Sequence, residues 1–304
     1  MQQVSVRVPA STSNLGPGYD CLGVALRVYN SVTVACDKAP RSSHPQIVST
    51  VAERFFRQTR RRAFSFSYSI VERIPRSRGL GSSATVRLGI LLALNHLSGK
   101  PLDQLSVFRL CAEAEGHPDN AAPAIFGGFT VVQNSASVSL AQARSAAGLA
   151  VQRFDVAPRL YFVLIVPYFE IETARARRIL PLKISRVAAV QNCANACALT
   201  AAFASQDYGK LRGSFSDKLH QPFRARLIPF LPRVIEAAER AGALGAFLSG
   251  SGSAIAAITL KTPQKIATAM ARAAAVPAHT IVTHADNRGA QVLPIRHSRS
   301  AIQH

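Results

Sequence analysis

A glycine-rich loop that leads directly into a helix constrains the fold of this chain more than any other segment. Residues 75–84 read PRSRGLGSSA, and the apolar pattern that follows predicts a helix over residues 82–98. Glycine lets the backbone approach a ligand closely, and the first turn of a helix offers unpaired N–H groups and a partial positive charge. We therefore predict a phosphate cradle, with the hydroxyl groups of Ser82 and Ser83 available to phosphate or Mg²⁺.

An ordinary glycine turn with a serine cap is the alternative interpretation of this loop. The spacing GxxxxGK[ST] of a Walker A loop does not occur here, and a bare Gly-x-Gly-Ser pattern more often marks a plain helix start. The loop becomes specific only together with other segments of the chain.

The charge balance first suggests a polyanionic partner. Among 304 residues, 36 are Lys or Arg and 16 are Asp or Glu, so the net charge is +20, while an apolar fraction of 48% excludes general disorder. The basic residues are spread along the chain without a block of five like charges, which favours a solvated surface. An RNA-binding protein is the alternative from another class, because arginines at 57–62 precede three aromatic residues at 64–68. Those aromatics alternate with serines, as on the core-facing side of a strand.

Three features bear on localisation. The N-terminus MQQVSVRV lacks the basic and apolar regions of a secretory signal, so we expect no leader peptide. Residues 241–260 carry no charge, yet glycines and serines interrupt them, which predicts two short buried strands around a turn and no membrane span. The five cysteines form no CxxC pair and favour a reduced, cytoplasmic protein, with Cys193 and Cys197 as core thiols.

Hydrophobic periodicity predicts an α+β protein. We expect strands near residues 4–8, 32–36, 64–70, 129–133, 160–166, 243–248, 253–260, 279–284 and 290–295, and helices near residues 47–56, 82–98, 103–115, 174–180, 186–206, 231–241 and 263–275. The stretch 133–153 is rich in Ala and Ser and poor in large apolar residues. We therefore predict an N-terminal domain over residues 1–150 and a C-terminal domain over residues 151–304.

Three further segments change the interpretation of the glycine-rich loop. They read PASTSNLGPGYD (residues 9–20), EAEGHPDN (113–120) and LSGSGS (248–253). Together with GLGSSA, and in this order, they resemble the superfamily of galactokinase, homoserine kinase, mevalonate kinase and phosphomevalonate kinase (the GHMP kinases), and among these most the homoserine kinases. The resemblance implies a two-domain α+β fold. Its N-terminal half is a ribosomal-protein-like α/β domain with a left-handed βαβ unit, its C-terminal half is a ferredoxin-like sandwich, and the active site lies between them.

The resemblance also implies an activity, the ATP-dependent phosphorylation of the hydroxyl group of L-homoserine in threonine biosynthesis. Ser83 and Glu115 match the positions expected to hold Mg²⁺, which needs only one or two protein oxygens because it keeps several waters. The implied contacts to the ATP phosphates are Pro75, Arg78, Gly79, Leu80, Gly81, Ser82, Ser83 and Ala84 in the first loop, and Gly250, Ser251 and Gly252 in the later one.

The same resemblance implies the acceptor site. Asp20 would hold the ammonium group, while Arg177 and Arg224 would clamp the carboxylate, a task that suits the planar guanidinium group. Further acceptor contacts are implied for Asn14, His117, Asn120 and Thr173. For each of these residues the plain alternative, a turn residue, a cap or a solvated helix position, stays open.

Asn120 stands where mevalonate kinase and galactokinase carry an aspartate placed as a base. Asparagine accepts no proton at neutral pH, so we expect Asn120 to orient the hydroxyl group, which attacks the γ-phosphate without a protein base. A base role for the adjacent Asp119 is the alternative.

One alternative for the function stays open within the class: a kinase of the same fold that acts on another small hydroxy acid, amino acid or alcohol. The expected partners are small molecules, homoserine and ATP, with no membrane and no required nucleic acid. A homodimer is expected from the resemblance alone.

Overall fold

The chain folds around two antiparallel sheets. A computed structural model of the chain describes residues 2–37, 44–134 and 148–294. The strands of the first sheet are β1 (Gln3–Ser13), β2 (Leu22–Cys36), β3 (Phe66–Val71), β4 (Phe129–Asn134), β5 (Leu149–Phe154) and β10 (Gln291–Leu293). Their order is β10-β1-β2-β4-β5, and β3 also pairs with β2. The helices of this half are α1 (Gln46–Thr59), α2 (Ser82–Leu97), α3 (Gln104–Glu115) and α4 (Ala121–Phe126).

The second sheet contains β6 (Tyr161–Pro167), β7 (Gly245–Leu248), β8 (Ile255–Thr259) and β9 (Ala278–His284), in the order β7-β8-β6-β9. Its first strand in the chain is therefore central and lies beside the third and the fourth, as in a ferredoxin-like sheet. The helices of this half are α5 (Thr173–Arg178), α6 (Arg186–Ala204), α7 (Gln221–Arg224), α8 (Leu231–Arg240) and α9 (Pro263–Ala274), with a short 3₁₀ helix at Tyr208–Leu211.

Strand β1 delivers polar residues to the centre of the molecule. Its first half alternates, with Val6 and Val8 fully buried, and the pairing with β2 shifts register between Pro9 and Ala10. Proline has no N–H group for the ladder, which suits it to such an irregularity. Beyond it, residues 11–13 are all buried although they read Ser-Thr-Ser.

The two halves share part of their hydrophobic core. One cluster fills the space between the first sheet and helices α1 to α4, with Phe55 and Phe108 fully buried. A second cluster joins β1, β2 and β4 to β6, β8 and α6, and within it the rings of Phe129 and Phe203 stack with centroids 4.3 Å apart. A third lies under α8 and α9. The continuous second cluster fixes the relative position of the loops that converge between the halves.

The predicted α+β class is confirmed, and the uncharged stretch 241–260 contains β7 and β8, as predicted. Within the described residues, α4, β5 and α7 were missed, and β2 starts ten residues before the predicted position 32. The aromatic residues at positions 64 and 66, just before and at the start of β3, belong to the core, because Phe66 is buried and Phe64 packs edge-on against Phe56 with ring centroids 5.3 Å apart.

The predicted domain division at residue 150 falls inside β5, which pairs with β4 over six residue pairs. Most of the Ala/Ser-rich stretch, residues 135–147, lies outside the described residues. Strand β10 also returns from the far end of the chain to pair with β1. The division into residues 1–150 and 151–304 stays a prediction.

Helix α6 carries the one cysteine prediction that is wrong. Cys193 and Cys197 are exposed, because the helix buries only a narrow stripe that includes Asn192, Leu199 and Phe203. Among the described helices, α6 is also the one long and apolar enough to cross a membrane by length and composition, which for a single helix is weak evidence.

Candidate active site

A cavity of about 200 Å³ lies where the glycine-rich loop, the end of β1, α5 and the β7–β8 loop meet. The predicted residues that line it are Asn14, Asp20, Arg78, Gly79, Leu80, Gly81, Ser82, Ser83, Glu115, His117, Asn120, Thr173, Arg177, Arg224, Gly250 and Ser251. Three predicted residues do not line the cavity: Pro75, Ala84 and Gly252. Five residues outside the predicted set also line it: Ser13, Ser77, Asp119, Ile171 and Glu172. One cavity therefore brings together nearly all of the residues that the sequence singled out.

The glycines of the first loop are required by close packing. Gly79 and Gly81 have φ values of +75° and +68°, and a Cβ on Gly79 would lie 2.0 Å from the carbonyl oxygen of Ser249. Gly81 is the residue before α2, so no side chain caps the first turn of this 16-residue helix. The first-turn N–H groups therefore lack a side-chain partner at the wall of the cavity, the arrangement that binds phosphate at helix starts.

The β7–β8 loop holds the first loop from behind. Ser249 Oγ donates to the carbonyl oxygen of Gly79 at 2.7 Å, and the amide of Ala254 donates to the carbonyl oxygen of Arg78 at 3.0 Å. The amide of Gly250 donates to the carbonyl oxygen of Ser13 at 3.1 Å. The β7–β8 loop thus joins the glycine-rich loop to β1.

The Arg78 guanidinium is already engaged. Its Nε donates to the carbonyl oxygen of Pro167 at 2.8 Å, and its Nη1 lies 3.2 Å from a carboxylate oxygen of Glu170. These contacts tie the first loop to the last residue of β6 and to the segment after it. The side chain of Arg78 therefore fastens the loop to the second half of the molecule. The predicted phosphate contact of Arg78 is left to its backbone, which is part of the loop.

Ser83 and Glu115 meet at the start of α2. Ser83 Oγ donates to Glu115 Oε2 at 2.9 Å, and Arg87 forms an ion pair with the other carboxylate oxygen. The Glu115 side chain is only 4% exposed, and its contacts with Ser83 and Arg87 fix the carboxylate at the cavity wall. Two hard oxygen donors beside a phosphate cradle fit Mg²⁺, which completes its shell with phosphate oxygens and water. Among the described residues, no group of three His, Cys, Asp or Glu side chains forms a protein-only metal site.

His117 and Asp119 form a buried ion pair on the cavity wall, with Nδ1 and Oδ1 2.9 Å apart. Burial opposes the charge of both groups, but their mutual attraction and hydrogen bond prevail. The pKa of His117 is therefore raised and the pKa of Asp119 is lowered. A carboxylate with a lowered pKa is a weak proton acceptor.

Two asparagines occupy the floor of the cavity. Asn120 accepts from Ser11 Oγ at 2.8 Å and donates to Ser13 Oγ at 3.0 Å, which fixes its amide and leaves a lone pair on Oδ1. Asn14 has φ +70°, donates to the carbonyl oxygen of Gly250 at 2.9 Å and accepts from the amide of Asp20 at 2.9 Å. Asn14 therefore positions Asp20 and the β7–β8 loop.

Asp20 and Arg177 form a two-pronged ion pair, with oxygen–nitrogen distances of 2.7 and 2.9 Å. The hydroxyl of Tyr19 accepts from Arg177 Nη1 at 3.0 Å, and the guanidinium carbons of Arg177 and Arg224 lie 5.6 and 5.2 Å from the centroid of the Tyr19 ring. Burial lowers the pKa of Arg177, but the hydrogen bonds and charge of Asp20 raise it overall. Both cations therefore lie within cation–π distance of the Tyr19 ring.

Arg224 is a buried cation that makes no ion pair within the described residues. It is 1% exposed, and its guanidinium donates to the carbonyl oxygens of Ala176 and Gly250 at 3.2 and 2.9 Å. It also contacts His220 Nδ1 at 3.2 Å, while His220 Nε2 lies 2.9 Å from the carbonyl oxygen of Gly16. Since a carbonyl only accepts, the proton is on Nε2, and Nδ1 accepts from Arg224. His220 is therefore neutral.

His220 predicts how stability depends on pH. Burial lowers the pKa of His220 to about 4, because it outweighs the attraction of Asp217 and the Arg224 charge adds to it. Above pH 6.5, which is about the pKa of histidine in the unfolded chain, the ring is neutral in both states and the free energy of unfolding is not reduced by its protonation. As the pH falls from 6.5 towards 4, the unfolded chain takes up the proton first, and the free energy of unfolding decreases by up to about 1.4 kcal/mol per pH unit.

The measurement is urea unfolding between pH 4 and 8 for the wild type and His220→Gln, which keeps a donor for Gly16 but cannot titrate. We expect the difference between the two stability curves to change across this window. A constant difference would contradict a neutral, buried His220.

Sequence reasoning missed Tyr19, His220 and Asp119 as parts of one constellation. Tyr19 and Asp119 stand inside segments that carry the resemblance, and His220 lies four residues before Arg224, so sequence proximity was the available signal. What the sequence did not show is that the Tyr19 ring lies 5.3 Å from the ring of His220, although the two residues are 201 positions apart in the chain.

Known protein families agree with this geometry. The model of the GHMP kinases N terminal domain matches residues 46–128, and that of the GHMP kinases C terminal domain matches residues 199–276. The first match contains the glycine-rich loop and α2, and the second contains α7 and the β7–β8 loop. Fold and site thus define the class as a GHMP kinase.

Individual relatives narrow the class. The chain is 36% identical to the homoserine kinase of Moorella thermoacetica, over 88% of this chain and 91% of that protein, and 36% identical to that of Microchaete diplosiphon, over 96% and 98%. The crystal structure of homoserine kinase from Cytophaga hutchinsonii superposes with a TM-score of 0.85 at 28% identity, over 96% and 98% of the two chains. The chain belongs to the homoserine kinase family.

Proposed function

We propose that this protein transfers the γ-phosphoryl group of ATP to the hydroxyl group of L-homoserine and forms O-phospho-L-homoserine, a step in threonine biosynthesis. The observation that carries the proposal is the buried Arg224, a cation without an acidic partner in the described residues, on the wall of the cavity that also holds the phosphate cradle. A buried guanidinium needs an anion, and a small acceptor with a carboxylate supplies one.

The acceptor would lie across the cavity from the phosphate loop. Its carboxylate would bind Arg224 and Arg177, and its ammonium group would bind Asp20. Asn120 would accept from the reacting hydroxyl through the free lone pair on Oδ1, while His117 and Thr173 border the space between. Fixing both charged groups leaves the hydroxyl near the cradle, where positioning provides most of the rate acceleration in phosphoryl transfer.

ATP would bind with its phosphates at the start of α2. A second, mostly apolar pocket shares Ser77, Ser82 and Ser83 with the cavity, and its other walls include Val48, Tyr68, Ile70 and Val86. We place the adenine ring in this pocket. Ser83 and Glu115 would hold Mg²⁺, which, when bound, neutralises phosphate charge.

Transfer would proceed without a protein base. Asn120 cannot accept a proton, and Asp119 is held ionised by His117 with a lowered pKa. We therefore expect Asp119→Asn to keep kcat within about tenfold of wild type, since loss of a general base would lower it by roughly 10² to 10⁴. Steady-state kinetics with homoserine measure this. A larger loss of kcat at unchanged KM for homoserine would assign the base role to Asp119.

The acceptor is tested by a coupled ADP-release assay with homoserine, mevalonate and galactose side by side. Two guanidinium groups and one carboxylate suit an α-amino acid, so we expect turnover with homoserine to exceed the other two by at least about a hundredfold in kcat/KM, the discrimination that unpaired buried charges produce. A response to homoserine no larger than to galactose would overturn the proposal while leaving the fold intact.

We further propose that residues 1–150 and 151–304 act as the two lobes of the enzyme and that it works in the cytoplasm as a homodimer. The location and the homodimer do not enter the proposed chemistry, because each copy supplies a complete cavity between its two lobes.

A further inference from the structure

The Asp20–Arg177 ion pair joins the two side chains that the proposed function assigns to opposite charges of the acceptor. Both side chains line the cavity, with about one third of each exposed (33% and 34%), and the contact uses both oxygens and both terminal nitrogens. An acceptor that binds both groups must therefore replace this contact.

The charge count of the ligand decides how easily this replacement occurs. A ligand with only a carboxylate would take Arg177 from Asp20 and leave that carboxylate without its partner. A ligand with only an ammonium group would bind Asp20 and leave the Arg177 guanidinium without its partner. A zwitterion supplies both missing partners at once, so only it restores every charge-assisted hydrogen bond.

Two neighbours keep the exchange local. Arg177 retains the Tyr19 hydroxyl at 3.0 Å when Asp20 is replaced, and the Asp20 backbone stays fastened to Asn14 at 2.9 Å. Arg224 needs no such exchange, since it makes no ion pair within the described part of the chain, and it offers the carboxylate a first contact. The Asp20–Arg177 contact can therefore open without movement of the backbone.

We propose that the Asp20–Arg177 ion pair is an internal substitute for the zwitterionic head of the acceptor, and that it opens fully only for a ligand that carries both charges. The pair is a specificity determinant against hydroxy acids and amino alcohols of the same length. This inference rests on the proposed function, because it uses the same assignment of Asp20 and Arg177.

The test uses two homoserine analogues that each lack one charge, 4-hydroxybutanoate and 3-aminopropan-1-ol. Inhibition constants against homoserine are measured for the wild type, Asp20→Asn and Arg177→Gln. In Asp20→Asn the guanidinium is released, so 4-hydroxybutanoate should bind about tenfold more tightly than in the wild type, while kcat/KM for homoserine falls by at least about tenfold. Arg177→Gln should show the reciprocal gain for 3-aminopropan-1-ol.

Glu172→Gln is the matched control, because it removes one negative charge from the same cavity wall without touching the pair. It should change the affinity for 4-hydroxybutanoate less than twofold. An equal gain in Glu172→Gln, or no gain in either pair variant, would overturn the inference. Thermal unfolding verifies that each variant is folded, and the two pair variants report independently.

The outcomes also separate the inference from the proposed function. A wild-type protein that does not phosphorylate homoserine would overturn the function itself. A wild-type protein that does so, with variants that show no crossed gain in affinity, would overturn only the role of the ion pair.

Discussion

Replacement of Arg224 by alanine is expected to lower kcat/KM for homoserine by at least about a hundredfold and to leave KM for ATP within about twofold. The reason is burial, since a guanidinium that is 1% exposed binds its anion in a site from which water is excluded. A hundredfold loss corresponds to about 2.7 kcal/mol, close to the roughly 3–5 kcal/mol that removal of one partner from a buried ion pair costs. Steady-state kinetics with each substrate varied in turn measure the effect.

Arg224→Lys and Arg226→Ala complete this experiment. Lysine keeps the charge but not the planar fork, so an intermediate loss is expected. Arg226 lies two residues further on and is exposed, and its removal should change kcat/KM less than twofold. If Arg224→Ala raised KM for ATP and homoserine equally, Arg224 would be a structural residue and would not be part of the acceptor site.

Replacement of Glu115 by glutamine is expected to lower kcat by at least about a hundredfold and to raise the Mg²⁺ concentration required for half-maximal rate. Glutamine has the same shape but lacks the charge that holds a divalent cation. Ser83→Ala should show the same shift to a smaller extent, because a hydroxyl is the weaker ligand. Initial rates are measured over a Mg²⁺ series at saturating ATP and homoserine.

Glu113→Gln is the control for Glu115. Glu113 lies on the same helix, α3, two residues earlier. Its carboxylate pairs with Arg54 at a distance of 3.2 Å, and Glu113 does not line the cavity. It should leave the Mg²⁺ dependence unchanged. An unaltered Mg²⁺ requirement in Glu115→Gln would contradict the metal assignment, provided that thermal unfolding shows the variant to be folded after loss of the Arg87 ion pair.

The fold was predictable where periodicity is strong. The helix after the glycine-rich loop and the helix after Asp103 begin at the predicted positions. For the second helix the reason is an N-cap, because the Asp103 side chain accepts from the amide of Ser106 at 2.7 Å. The start of β2 was missed because residues 22–26 are buried on both faces and show no alternation. Helix α4 was missed because six residues with an internal proline carry no helical period.

The site was predictable in its residues but not in their pairing. The resemblance indicated Asp20 and Arg177 separately, yet they are 157 residues apart in the chain and meet only because α5 docks against the loop after β1. The neutral state of His220 was equally hidden, since it depends on the carbonyl oxygen of Gly16 and on Arg224 together. Local sequence patterns carry no information on such contacts.

The net charge of +20 does not originate at the cavity. Four of the 16 acidic residues line it (Asp20, Glu115, Asp119 and Glu172), against three of the 36 basic ones (Arg78, Arg177 and Arg224). The acids are thus concentrated at the cavity relative to the bases, and two of the three arginines are the proposed carboxylate ligands. The surplus charge therefore comes from residues that do not line the cavity, and it can favour the approach of anionic substrates at low salt.

The central claim is that one cavity joins a phosphate cradle to a pocket for an amino acid. Phosphorus NMR of the wild-type protein with ATP, Mg²⁺ and homoserine tests it most directly. The account predicts a phosphomonoester signal that grows in equal amount with ADP and is not formed when homoserine is omitted. Formation of ADP with inorganic phosphate alone, or no consumption of ATP in the presence of homoserine, would contradict it.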